Sequence, residues 1–446
     1  MLVSPRPSLD MPVSLSRQAV VEEGAAPMLS ALAFFFLMTS YYIMRPVRDQ
    51  LSGAVGSISL PLFYGAVFVV MLLLTPVFGL LVARFPRRLL IGWSYSFFIV
   101  CLLAFVPAFL AQDRIGARVL GVVFFVWVSV FNLFVVSLFW SVMADIFSSN
   151  HARKVFSLIA LGGMAGAIFG PLVTRLLVQR IGVAPLLLVS ALALLLTLLL
   201  LLRLSARHDQ RLGQHAEEII GGSLWAGLRE VWSRPFLRCM ALLMLFGDGI
   251  GTLGYALIAD YAKAHVIGML ARTEFYNSLD LATNLLGAAL QLTLTPWLLI
   301  RRGAGWALVL AALVNVALLA SVAWWGAGRL QLLGVGVPVL ALMLVITRGF
   351  AFGMTKPASD ALYTRVPREA RYKGKNFVET TIWRFGDLLV TTGVNGLHLL
   401  GLGLGGLALL GTGISALAAL VAQRAGWSPD LAPDETLQSD RGAPPV

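Results

Sequence analysis

The feature that most limits what this chain can become is a recurrence of apolar stretches, each about as long as a bilayer is thick and each bounded by charges or turn residues. They fall at about 27–44, 58–83, 89–111, 118–143, 155–179 and 183–202, and again at 236–258, 275–299, 304–326, 330–354, 376–400 and 402–422. A helix needs about 20 apolar residues to cross the hydrocarbon core, and in lipid only helices and closed barrels satisfy their own backbone groups. Of the 446 residues 58% are hydrophobic and 13% charged, against roughly a quarter charged in soluble domains. The expected fold class is therefore an all-α integral membrane protein with twelve transmembrane helices in two six-helix bundles, embedded in the lipid bilayer. No stretch is left over for a large soluble domain.

The runs divide the chain into a polar N-terminal tail (1–26), a first bundle (27–202), a central loop (203–235), a second bundle (236–422) and a polar tail (423–446). The first run has no small-residue cleavage site and continues into Arg45-Pro46-Val47-Arg48-Asp49, so it reads as a retained span rather than a signal peptide. In the central loop Leu224, Trp225, Leu228, Val231 and Trp232 form one apolar stripe at helical spacing behind Ser223, a good N-cap, which predicts a helix lying on the membrane surface. Of the 34 Lys and Arg residues, 23 fall in or near segments on the side of the termini, 9 on the other side and two, Arg348 and Arg384, well inside runs. The positive-inside rule then places both termini in the cytoplasm. Arginine far outnumbers lysine among abundant Ala, Leu and Gly, a composition expected of a GC-rich bacterial genome and so of a multi-pass protein of the cell (inner) membrane.

Basic residues with this role do not call for nucleic acid as a partner, despite a net charge of +12. Cys101 and Cys239 lie in apolar runs and leave no disulfide framework. The five histidines are scattered without metal-ligand spacing, and no GxxxxGK[ST] phosphate loop occurs, so neither a metal site, a cofactor nor an ATP-driven pump is expected. No clustered catalytic set is found, and the chain does not read as an enzyme.

An ionisable residue near the bilayer centre costs about 2.5–3.5 kcal/mol on insertion scales and normally faces a partner or a water-filled cavity. Here such residues are unevenly spread. Spans three, six, nine and twelve carry none in their interiors and read as lipid-facing. Arg45, Arg48 and Asp49 end span one, Asp145 ends span four, Asp248 lies in span seven, Asp280 in eight, Arg348 in ten, and Glu379, Arg384 and Asp387 in eleven. Their helices would enclose a polar cavity between the halves, where repeat-built transporters bind substrate. Guanidinium groups converging there suit a phosphate or carboxylate, so the expected partner is a small anionic molecule.

The expected substrate-binding residues are Arg48, Arg348, Arg384, Asp49, Asp387 and Asn284. Arg45 reads equally as an interfacial anchor, and Arg384 with Asp387 equally as a structural ion pair. Arg348 has no obvious partner in the sequence. Asp248, Asp280 and Glu379 are candidates for proton coupling, unless each pairs with a cavity arginine; Asn284, one turn after Asp280, could bond to that acid or to a solute. Gly162, Gly166 and Gly170 in span five form a small-residue face for a close helix contact, of the kind a rocking interface needs, although static packing explains any single one. Tyr41, Tyr42, Trp127, Phe139, Trp140 and Trp383 could stack on a purine or simply anchor.

Three stretches resemble bacterial relatives of the ATP/ADP (NTP/NDP) antiporters: Tyr41 to Leu51, Val135 to Phe147, and Lys356-Pro357 through Glu369, Arg371, Lys373 and Lys375 to Arg384-Phe-Gly386-Asp387. The resemblance spans about 28–422 and implies the major facilitator fold, with Arg48 matching the basic residue of span one that engages nucleotide phosphates. The loop after span two is similar to the superfamily's gating motif, with Ala83 where an Asp is usual and Pro86 where a Gly is usual. Characterised exchangers carry an acid where this chain is apolar around Val128, and a lysine near the position of Asp387. The resemblance therefore implies the fold and the superfamily while leaving the solute open. The reading that results is a secondary transporter of a small anion working by alternating access, first of all a nucleotide or organic-phosphate exchanger, and expected as a monomer. Two alternatives stand beside it: a proton-coupled exporter of another solute, and a non-transporting receptor or scaffold relative.

Overall fold

A computed structural model describes residues 13–147, 149–209, 224–332, 334–367 and 374–431. Long apolar helices dominate it: α1 (Val13–Val55), α2 (Leu60–Arg84), α3 (Arg87–Leu110), α4 (117–146), α5 (Ser149–Ile181), α6 (Val183–Asp209), α7 (Pro235–His265), α8 (Met269–Arg301), α9 (Ala304–Trp325), α10 (Val339–Tyr363), α11 (374–399) and α12 (Leu404–Gly426). Eleven of them are long and apolar enough to cross a membrane. The other, α11, carries Glu379, Arg384 and Asp387 and packs between α2 and α7.

Two differences from the apolar runs matter. The first helix is continuous from Val13 to Val55, so Arg45, Arg48 and Asp49 lie inside it rather than at its outer end. Pro46 does not stop it, because a proline inside a long membrane helix costs one hydrogen bond that neighbouring groups can replace. The run beginning at 330 opens instead as a hairpin, β1 (Arg329–Leu332) paired antiparallel with β2 (Val335–Pro338), and Gly334 takes the positive φ of 81° that the turn requires. In the central loop a helix spans Leu224–Ser233; Val231 is buried against the second half while Trp232 stays exposed. Ser223 lies outside the described residues.

Each half has its own core. In the first, Ile43, Met44, Phe98, Phe124, Phe131 and Phe139 are buried together, and α3 packs on α6; in the second, Phe236, Met354, Leu362 and Tyr363 are buried and α9 packs on α12. Four of the helices without interior charges, α3 with α6 and α9 with α12, therefore pair inside each half, whereas α2, also without one, packs on α4 and on α11 of the other half. Close approach there depends on small residues, since lipid removes the hydrophobic drive between helices. A Cβ on Gly162, Gly166 or Gly170 would run into the backbone of Ala31, Phe35 or Thr39 on α1. The glycine face thus holds α5 to α1 inside one half, in keeping with static packing rather than a surface between moving halves.

Where the halves meet, α1 packs on α7 and α8, α2 on α11, and α5 on α8. The Ser57 N–H donates to Asp260 Oδ1 at 2.7 Å, Asn395 Nδ2 to the Ile58 carbonyl at 3.0 Å, and Gln179 to Glu274. All three contacts lie on the face away from the termini, where a third apolar cluster joins Phe63, Tyr64 and Phe125 to Tyr255 and Tyr276. On the terminal side the halves part around a cavity of about 470 Å³ between α5 and α8 and a narrow cleft between α2 and α11. The first and last described residues, Val13 and Leu431, lie on that side; near the start of α7, the Phe236 N–H donates to Asp430 at 3.2 Å.

Candidate functional site

Between the closed face and the open one lies a layer of charge. Helices α7, α10 and α11 each contain a wide turn near this layer, at Met244–Asp248, Ala351–Thr355 and Val378–Ile382. In such a turn the backbone hydrogen bond reaches five residues on, and the phase of the side chains shifts. On α1, Pro46 removes the N–H that would bond the Tyr42 carbonyl. Of the helices that carry the charges, α1, α7, α10 and α11 are irregular near them and α8 is not, while α4 has a further wide turn at Asn132–Val136 without a charge in the layer.

On α1 the Arg48 guanidinium lies 4.5 Å above the Phe125 ring and donates through Nε to Asp49 Oδ1 at 2.7 Å. The same oxygen accepts the Tyr255 hydroxyl of α7 at 2.9 Å, and Ser52 Oγ is 2.6 Å from that hydroxyl. Arg45 faces Asp280 of α8, Nε to Oδ1 at 3.4 Å, with Asp49 Oδ2 at 3.9 Å. Arg45 is therefore buried at the junction of the halves, and the anchor reading does not apply. Arg348 of α10 pairs with Asp248 of α7 at 3.5 Å. Gly251 leaves the room for it, since a Cβ there would meet the guanidinium at 3.0 Å. On α11 Arg384 sits 4.4 Å over the Trp383 ring and 3.4 Å from Asp387, which accepts a 2.6 Å bond from Thr252 Oγ1. Tyr64 of α2, 7% exposed, lies within electrostatic reach of Asp387, Arg348, Arg48 and Asp49, and so stands where the groups of both halves converge.

Seven of the charged residues expected at the site are brought into this layer: Arg48, Arg348, Arg384, Asp49, Asp387, Asp248 and Asp280. Two expected residues lie elsewhere. Glu379 pairs with Lys356 at 2.6 Å and Lys375 at 3.9 Å, two turns toward the terminal face, and not with a cavity arginine. Asn284 donates to the Ala167 carbonyl of α5 at 2.7 Å instead of to Asp280. The side chain of Asp145 lies outside the described residues. Phe139, Trp140 and Trp127 are packed among other aromatics within the first half, leaving Tyr42 and Trp383 beside arginines.

Thr252, Tyr255, Ser52 and Tyr64 were not anticipated. For two of them a signal existed: Asp248, Thr252 and Tyr255 recur at i, i+4 and i+7, which is one polar stripe down α7. Each of the four arginines has an aspartate partner, so the layer is balanced in charge, and its buried groups are costly to separate.

Two helical halves that share a buried ionic layer, sealed on one face and parted on the other, have the build of a membrane carrier. The sequence profile described as Major Facilitator Superfamily matches residues 27–386, and the chain belongs to that superfamily. It is accordingly a multi-pass transporter and not an enzyme. Among solved structures it is similar to the nucleoside transporter NupG (15% identity, TM-score 0.60, 90% of this chain and 98% of that one covered). It is likewise similar to a bacterial homologue of the iron transporter ferroportin in an inward-facing state (15%, 0.61, 90% and 99%) and to the E. coli fucose:proton symporter FucP (14%, 0.58, 90% and 98%). At these identities the likeness is one of fold. No curated protein matches the sequence.

Proposed function

We propose that the protein carries a small anionic solute across the bacterial inner membrane by alternating access, as a monomer with both termini and the open face in the cytoplasm. All twelve helices α1 to α12 would span the bilayer. The observation that carries this reading is the convergence of buried guanidinium groups from both halves on one layer: Arg48 on α1, Arg348 on α10 and Arg384 on α11. Lysine ammoniums would give point charges there; planar guanidiniums give fixed, paired donors suited to phosphate or carboxylate. Because Asp49, Asp248 and Asp387 already occupy them, an incoming anion must displace an aspartate or arrive with a proton for it. Binding is thereby tied to rearrangement, and transfer is tied to a counter-anion or to protons on Asp248 or Asp280. Exchange of nucleotides or organic phosphates is the first specific form, supported by the resemblance to the ATP/ADP antiporters.

The test is uptake into liposomes carrying the purified protein, preloaded with unlabelled anion, across ATP, ADP, sugar phosphates, organic acids and neutral solutes, with Arg48→Ala and Arg384→Ala alongside. Counterflow of a phosphorylated anion that disappears in both variants is expected. Uptake of a neutral or cationic compound that survives both substitutions would discard the anion. A second reading, a proton-coupled exporter, has one observation in its favour: Asp280 faces its arginine across the junction of the halves, where protonation would loosen them. Transport that follows an imposed proton gradient without counter-anion, and is lost in Asp280→Asn, would select it.

A further inference from the structure

The cavity between α5 and α8 is not lined by the arginines. Its wall between α5 and α8 is made by Met38, Leu161, Met164, Leu292 and Phe352, and three of these leave apolar surface uncovered (Leu161 49%, Leu292 62% and Phe352 40% exposed). At its inner end stand Tyr42 and Asn284. Each is about one helical turn from a member of the Arg45–Asp280 pair, and the Arg45 guanidinium lies 5.6 Å from the centre of the Tyr42 ring. That pair is incompletely used. Arg45 Nε and Asp280 Oδ2 are both buried and neither has a hydrogen-bond partner. A buried unsatisfied donor and acceptor side by side cost more than a completed pair, so the arrangement is open to a third group.

We propose that this cavity and the Arg45–Asp280 pair form one binding site for an amphipathic anion, its apolar body lying between α5 and α8 and its acidic head reaching Arg45. This rests on the anion-carrier reading and narrows it to a class of substrate. An apolar wall gains nothing from a sugar or an inorganic ion, whereas it gains about 25 cal/mol for each Å² of hydrocarbon taken from water. A closed apolar cavity of about 150 Å³ takes up benzene, so a space of about 470 Å³ accommodates a body of about two or three rings. The head is a phosphate monoester or carboxylate, because it must accept the Arg45 N–H and, when protonated, can donate to Asp280 Oδ2.

The experiment measures dissociation constants of the full-length purified protein, by calorimetry, for inorganic phosphate, phenyl phosphate, 1-naphthyl phosphate and ADP. Affinity is expected to rise about tenfold, or about 1.4 kcal/mol, from phosphate to phenyl phosphate and again to 1-naphthyl phosphate. Ala288→Phe, which fills the cavity from α8, is expected to abolish the gain from the second ring. Ala160→Phe at the rim of α5 does the same should the first variant fail to fold, and the melting temperature of each ligand-free variant shows which has folded. Equal affinity across the phosphate series, or ADP binding more tightly than 1-naphthyl phosphate, would overturn the amphipathic site and leave anion transport standing. Binding of none of the four would overturn the phosphate-binding site proposed here and the nucleotide and organic-phosphate form of the anion reading. A ring-size gain that persists in Arg45→Gln would overturn the placement of the head.

Discussion

Arg45 and Asp280 show how far a single residue's role depends on what lies across from it. Near the end of an apolar run, Arg45 reads as an anchor reaching the interface; inside a continuous α1, it meets Asp280 of α8 at 3.4 Å. Removing one member strands a buried charge, at a cost of about 3–5 kcal/mol, while removing both leaves none. A double-mutant cycle on Arg45→Gln and Asp280→Asn, read by thermal unfolding in detergent, is therefore expected to be strongly non-additive, the double variant being more stable than the sum of the singles. Strict additivity would mean that the two do not face each other. Thr252 gives a smaller test. Its hydroxyl donates to a buried carboxylate at 2.6 Å, and bonds to charged groups contribute about 1.5–3 kcal/mol, so Thr252→Val is expected to lower stability by about that amount. In Asp387→Ala, where the acceptor is gone, the same substitution should cost almost nothing.

Among the elements, the helices without interior charges were the most legible. A lipid-facing helix must be apolar throughout, so α3, α6, α9 and α12 were read as lipid-facing; that they pack as the pairs α3–α6 and α9–α12, and that the equally blank α2 packs on α11, the pattern did not state. The wide turns in α7, α10 and α11 had no such signal, because a five-residue hydrogen bond leaves composition unchanged. The glycine face of α5 was legible as a contact surface, although its partner was not. Gly166→Leu would drive a side chain into the Phe35 backbone of α1, and overpacking of this kind costs about 1–3 kcal/mol. A drop in melting temperature is expected there and none for Gly79→Leu, where a Cβ meets nothing within 4 Å. Equal melting of the two variants would mean that α5 is not pressed against α1.

At the scale of the molecule, the halves are tied on the face away from the termini and parted on the other. In a background with Cys101→Ser and Cys239→Ser, a membrane-impermeant thiol reagent is expected to label Thr380→Cys and Gln291→Cys rapidly from the terminal side. Ser57→Cys, which is buried beside Asp260, should label slowly, and faster once Asp260→Ala releases the contact. Rapid labelling of Ser57→Cys with Asp260 intact would show that the opposite face is the open one.

That the chain is built of long apolar helices, and roughly where most of them fall, followed from the sequence by itself, because the bilayer imposes one thickness and one polarity on every span. The same constraint marked Arg48, Arg348, Arg384 and their aspartates as exceptional, since each had to repay its insertion somewhere. What repays it was decided only by tertiary structure. Arg348 meets Asp248 from a helix 100 residues away in sequence, Asp49 meets Tyr255 across the two halves, and Glu379 turns to Lys356 and Lys375 instead of the arginine layer. Hydropathy runs along the chain and can be read along it, whereas pairing depends on the phase of each helix at its crossing, and one proline or one wide turn shifts that phase without altering how apolar the helix is.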